Sequence, residues 1–173
     1  MLGIDIVDLK DPQLKKRNER ALKLISNQKD KLTEHPNIYW LLWAAKEAVF
    51  KCRREAFNFS PTQIPVQFSV VEGEILFASK ELLGKMKVTD SYILAVCSDE
   101  PEVVADKIFK TKEISGSNSV RQAIVDYFRD LGIDVSIGSD DLNLPVLLPS
   151  KEPISISHHN HWSAFAYPKT IVY

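Results

Sequence analysis

The chain has 173 residues, of which 45% are hydrophobic and 26% charged, with a formal net charge of −1. Such values describe a globular protein with enough sequence for one domain, or for two small lobes sharing a core, and exclude a disordered or fibrous chain. The near-neutral balance also excludes the global cationic field of a dedicated nucleic-acid binder.

Residues 2–9 read as a short strand in which Asp5 and Asp8 stand among branched apolar residues. This beginning lacks the basic and apolar regions of a secretory signal, and no apolar run approaches the length of a membrane span. Cys52 and Cys97 have neither metal-ligand nor disulfide-framework spacing, which suits a reducing, cytoplasmic compartment. Asp11-Pro12 predicts a helix start, with an aspartate cap and proline at the first helical position. That helix would carry Lys15, Lys16, Arg17, Arg20 and Lys23 against a single Glu19. Pro36 opens a second predicted helix, running to about Arg54, with Tyr39, Trp40, Trp43, Glu47 and Phe50 along it.

Between 64 and 98 the pattern changes to period two. Val66, Phe68 and Val70 form a half-buried strand, and Gly73 turns into a second at 75–78. A short helix is expected at 79–86, then a buried strand at 91–97 that encloses Cys97. Pro101 predicts a further helix, and Ser115-Gly116-Ser117-Asn118-Ser119 a linker. Val120, Ile124, Tyr127, Phe128 and Leu131 then share one face of an amphipathic helix ended by Gly132. Short strands follow at 133–137, 145–148, 154–157 and 162–167. Strands and helices mix without βαβ alternation, which predicts an α+β fold.

Three segments could carry chemistry. In Gly3-Ile4-Asp5-Ile6 a carboxylate sits inside an apolar strand, where burial is costly unless something neutralises it; a hard cation is one solution. In 43–51, Glu47 and Lys51 have i, i+4 spacing, which a surface ion pair also has, but Trp40, Trp43 and Phe50 place this face near the core. In 153–162, the hydroxyls of Ser155 and Ser157 lead into His158, His159 and His161. Ser157 and His158 could donate to a phosphate; the alternatives are polar turn residues, or a zinc or copper site on the three histidines.

Taken together and in this order, the three segments resemble the 4′-phosphopantetheinyl transferase superfamily. The resemblance rests on the Gly3-Ile4-Asp5 strand, on the ungapped Trp43-x-x-Lys46-Glu47-Ala48-x-x-Lys51 helix, and on the Ser155-Ile156-Ser157-His158 turn. It implies transfer of phosphopantetheine from coenzyme A to a serine of an acyl or peptidyl carrier protein, with Mg2+, releasing 3′,5′-ADP. It implies Asp5 and Glu47 as metal ligands, Glu47 and Lys46 as catalytic residues, and Lys46, Lys51, Ser157 and His158 as coenzyme contacts. Segment 1–100 looks like the second half of the two-lobed transferases that activate peptide synthetases, and 118–168 like the end of their first half. The halves would thus stand in swapped order, as two pseudo-repeated lobes, 1–107 and 118–173, joined by a linker at 108–117. The rival is the small homotrimeric synthase type, with sites between subunits. A diverged protein that binds coenzyme A or the carrier without transfer is the alternative function.

The chain departs from the family pattern in places. Val7 stands where an acidic residue often follows the strand aspartate, and Asp8 should face away, which leaves water as a third metal ligand. Asn143-Leu144-Pro145 replaces a Gly-Lys-Pro, so that lysine's contact is lost or moves to Lys151. Cys52-Arg53-Arg54 follows the helix instead of a glycine-rich loop. Carriers of this kind are acidic, so the predicted basic helix with Lys16, Arg17 and Arg20 would be their landing surface.

Overall fold

A computed structural model describes residues 1–54, 58–111 and 116–172. Strand β1 (Leu2–Asp8) is followed by helices α1 (Glu19–Ile25) and α2 (Ile38–Arg53). The antiparallel strands β2 (Gln67–Val71), β3 (Glu74–Ser79), β4 (Leu82–Val88) and β5 (Tyr92–Ser98) come next. β5 inserts between β4 and β1, so the first sheet has the order β1-β5-β4-β3-β2. The second lobe begins with β6 (Val104–Lys110) and helix α3 (Ser117–Asp130). A small sheet of β7 (Ser136–Ser139), β8 (Pro145–Leu148) and β9 (Glu152–Pro153) leads to β10 (Ser155–His159) and β11 (Trp162–Pro168), which form a sheet of order β10-β11-β6.

Each lobe opens with a strand that pairs antiparallel with its last: β1 with β5, and β6 with β11. The fold is α+β, with two pseudo-repeated lobes. Period-two alternation separates its cores. Val7 and the apolar face of α2 pack on one side of the first sheet, while Ile4 and Ile6 on the other side meet Ala164 and Ala166 of β11. Phe165 and Tyr167, which alternate with those alanines, face α3 through Val120, Ile124 and Phe128. The layers therefore run α2, first sheet, second sheet, α3. β6 crosses the point at which the sequence reading divides the lobes, and residues 112–115 of the expected linker lie outside the described residues. No described helix is long and apolar enough to cross a membrane.

Three expected helices are corrected. Asp11 caps a turn instead, accepting from the Gln13 backbone N–H at 2.8 Å, and α1 starts at Glu19, where Asn18 accepts from the Ala21 N–H at 3.0 Å. Lys15, Lys16 and Arg17 consequently precede the helix. Segment 79–86 is mostly strand: Lys80, at φ +55°, turns the chain, Leu82 and Met86 face inward, and pairing with β3 and β5 overrides the helix propensity of Leu, Met and Lys. Pro101 begins only a three-residue 3-10 turn, Pro101–Val103, before β6. The expected hairpin at Gly73 forms as read, with Glu72 at φ +51° and Gly73 at +83° in adjacent left-handed positions.

Gly3 fixes the approach of α2 to β1. A Cβ built there would lie 2.0 Å from the Ala48 carbonyl oxygen and 2.6 Å from the Cys52 nitrogen, both backbone atoms. Only a residue without a side chain lets the helix seat directly on the strand, which brings Asp5 beside Glu47 and Lys51. Gly3→Ala is expected to cost about 1–3 kcal/mol through overpacking, or more if the helix cannot shift, measured by denaturant unfolding.

Candidate active site

The open edge of β1 builds the site. The N–H groups of Gly3, Asp5 and Val7 face β5 in the ladder, whereas those of Ile4, Ile6 and Asp8 point outward and would be orphaned if buried alone. Alternate side chains of β10 accept them: Ser155 Oγ from Ile4 at 3.0 Å, Ser157 Oγ from Ile6 at 3.3 Å, and His159 Nδ1 from Asp8 at 3.2 Å. A side-chain seam thus joins the lobes where a backbone ladder would otherwise run. Ser157 also donates its hydroxyl proton to Asp5 Oδ1 at 2.7 Å.

On the other side of Asp5 stands Lys51, with Nζ 2.9 Å from Asp5 Oδ1 and 3.4 Å from Glu47 Oε1. One ammonium group thereby separates two carboxylates delivered by a strand and a helix. Burial raises the pKa of Glu47, Asp5's charge adds to this, and Lys51 and a hydrogen bond with the Trp43 side chain oppose it. Burial also works against the charge of Lys51, but Asp5 and Glu47 together outweigh it and hold its pKa above the usual lysine value. His158 is pushed below the ordinary imidazole range, first by burial and then by Lys51 and His159. These groups border a cleft of about 320 Å3, walled also by Trp40, Trp43 and Ile156.

The structure thus brings together Asp5, Glu47, Lys51, Ser157 and His158, five of the six expected site residues. Lys46, expected at the phosphates and in proton transfer, does not line the cleft. It is fully buried, with Nζ 2.7 Å from Asp30 Oδ2 and donating to the Pro61 carbonyl at 2.9 Å. Asp30 in turn accepts from the Val66 and Asn27 backbone N–H groups, each at 2.7 Å, so the pair anchors two loops. Burial lowers the pKa of Lys46, although Asp30 opposes the shift. No local signal marks Asp30 as its partner from sixteen residues away.

Val7 lines the cleft, as its place two residues after Asp5 requires, and Asp8 faces away to accept from Asn160 Nδ2 at 2.8 Å. Lys151 is exposed and does not border the cleft. The 140–145 turn meets the end of α2 by another route, through an Arg54–Asp140 ion pair of 2.5 Å that lowers the Asp140 pKa. Among the described residues no three His, Cys, Asp or Glu side chains converge as a metal cage, and His159 is committed to Asp8 and Asp11. The zinc or copper reading of the histidines therefore has no geometry behind it. The carboxylate pair does fit a hard cation: it is all oxygen, already holds positive charge between its members, and leaves room for anionic and water ligands.

Residues 1–97 match the family model described as the 4′-phosphopantetheinyl transferase superfamily. The chain belongs to the 4′-phosphopantetheinyl transferase superfamily. Neither the comparison with curated proteins nor that with solved structures gave a match. The part matched to the superfamily contains β1, α2 and β5, and thus Asp5, Glu47 and Lys51, but ends before Ser157 and His158.

Two substitutions separate the lysines of this transferase-superfamily helix. Lys46→Met strands a buried carboxylate and is expected to cost about 3–5 kcal/mol in denaturant unfolding. Lys51 is different because its pKa is raised in the fold. Its contribution is complete below the ordinary lysine value of 10.5 and disappears as pH rises through the higher folded value. Lys51→Met is accordingly expected to lose about 2 kcal/mol at neutral pH, with the gap from the unsubstituted protein closing at strongly alkaline pH in unfolding curves.

Proposed function

We propose that the cleft transfers 4′-phosphopantetheine from coenzyme A to a carrier-protein serine. The observation that carries the reading is the arrangement around Asp5: Lys51 and Glu47 from one lobe on one side, and Ser157 from the other lobe hydrogen-bonded to the same carboxylate oxygen. Such a site suits a ligand that bridges the lobes and is dense in anionic oxygen, as the coenzyme's pyrophosphate is.

In this reading Asp5 and Glu47 hold Mg2+. The ion would supply neutralisation of the pyrophosphate charge and of the charge that grows on the leaving group. Lys51, exchanging its carboxylate partners for phosphate oxygens, binds the coenzyme from the helix side, while His158 and Ser157, the latter turning its one hydroxyl proton from Asp5, donate to it from β10. The carrier serine attacks the phosphorus nearest the pantetheine, and its proton passes to Glu47, which stands on the cleft wall beside Lys51. The new serine–phosphorus bond forms as the bond to 3′,5′-ADP breaks, and 3′,5′-ADP departs.

The carrier would dock on the adjoining groove of about 1230 Å3, whose rim carries Lys15, Lys16 and Arg17. Its floor includes Tyr39 and Trp40, and the Arg17 guanidinium lies 5.4 and 5.5 Å from their ring centres. Trp40 borders both groove and cleft, so a carrier seated there reaches the coenzyme directly.

Incubation with coenzyme A, Mg2+ and an apo carrier is expected to add one phosphopantetheine by mass spectrometry. Glu47→Gln should lower turnover by about 100-fold or more while coenzyme A still binds; unchanged turnover would remove Glu47 from the chemistry. Coenzyme A binding without any transfer would support the non-catalytic alternative, to which the sequestered Lys46 lends weight. Charge reversal at Lys16 and Arg17 is expected to raise the carrier KM by about tenfold at low salt and less at high salt, with the KM for coenzyme A unchanged.

A further inference from the structure

His159 occupies a junction that the proposed chemistry does not use. Its Nδ1 accepts from the Asp8 backbone N–H at 3.2 Å, and its Nε2 lies 3.0 Å from Asp11 Oδ2. A ring nitrogen that accepts from an amide carries no proton, so the proton of this imidazole is on Nε2 and is donated to Asp11. The contact with Asp11 is thus a hydrogen bond from a neutral ring. Each nitrogen serves a different part of the molecule. Nδ1 closes the last outward N–H of β1, three residues beyond Asp5. Nε2 holds the turn that Asp11 organises, through the Gln13 N–H on its carboxylate at 2.8 Å and the Leu14 N–H on its carbonyl at 2.9 Å. That turn leads directly into Lys15, Lys16 and Arg17.

We propose that His159 is a positioning residue that ties the carrier-docking segment to the coenzyme cleft, each ring nitrogen holding one of the two. The proposal rests on the transferase reading for what the two ends bind. His159 and its neighbour His158 on β10 both border the cleft, so a shift of this strand relative to residues 9–17 would change how the docked serine meets the coenzyme.

Two substitutions separate the ends. In His159→Asn the side-chain oxygen can take the Nδ1 position, keeping the acceptor for Asp8 while losing reach to Asp11. In His159→Gln the amide can take the Nε2 position, keeping the donor to Asp11 while leaving the Asp8 N–H unpaired. Steady-state kinetics with the full chain should show the carrier KM raised about tenfold in His159→Asn, with the KM for coenzyme A within about twofold; His159→Gln should show the reverse. Equal effects of both variants on both constants, or no effect of either, would overturn the proposal. The geometry has its own readout in nitrogen NMR of the imidazole and in hydrogen exchange at Asp8. A neutral ring protonated on Nε2, with Asp8 protection kept in the Asn variant and lost in the Gln variant, supports it; a proton on Nδ1 overturns it. If the unsubstituted protein transfers nothing while these NMR results hold, the transferase reading fails and the coupling role fails with it, but the two-ended hydrogen bonding stands.

Discussion

The rest of the structure depends on the outward edge of β1. Three backbone N–H groups, those of Ile4, Ile6 and Asp8, point away from the first sheet into a region covered by protein. Leaving such donors buried and unpaired costs on the order of 1–3 kcal/mol each. Ser155, Ser157 and His159 satisfy them by side chains at alternate positions, and this sets the relative position of the two lobes. Side-chain acceptors hold a second strand alongside while leaving β10 free to present other groups. Ser157 uses that freedom, accepting from Ile6 and donating to Asp5 with one hydroxyl.

The electrostatics of the cleft follow from the same seam. Gly3 lets α2 sit directly on β1, which brings the half-buried Glu47 near Asp5 and places Lys51 between them. Burial first, and then Asp5's charge, raises the pKa of Glu47, while Asp5 and Glu47 together hold that of Lys51 up against its own burial. In the proposed reaction a metal cation between the carboxylates would release Lys51 to an anionic ligand. The buried Lys46–Asp30 pair plays the opposite part. Its ammonium group bonds to Asp30 and to the Pro61 carbonyl, and the pair serves to hold the loops before and after α2.

Most of the layout was legible in the sequence because periodicity reports burial. The alternation of 2–9 and 154–157, the apolar run of 91–97 and the stripe of Val120, Ile124, Tyr127, Phe128 and Leu131 are physical signatures of faces and gave the α+β class, whereas the three segments of the site stood out by their carboxylates, hydroxyls and histidines and by their resemblance to the superfamily. Failures came where local preference and tertiary pairing disagree. Residues 82–88 contain good helix formers but lie between two strands that claim their backbone. Asp11 has the chemistry of a helix cap, yet its carboxylate is held by a turn and by His159 from the other lobe. Lys46 shows the limit most clearly. Adjacent to Glu47 in the motif, it is turned into a different environment by the helix's rotation of about 100° per residue, and its partner Asp30 carries no signal in the motif.

The central claim is that one coenzyme-binding cleft is shared by the two lobes through Asp5. A double-mutant cycle measures this directly: calorimetric affinity for coenzyme A in the presence of Mg2+ for the unsubstituted chain, Glu47→Gln, Ser157→Ala and the double variant. If both residues act on the same bound pyrophosphate, their effects are expected to be non-additive by more than about 0.5 kcal/mol. Additive losses would mean that the first-lobe carboxylate and the second-lobe hydroxyl act independently, and would contradict a shared site.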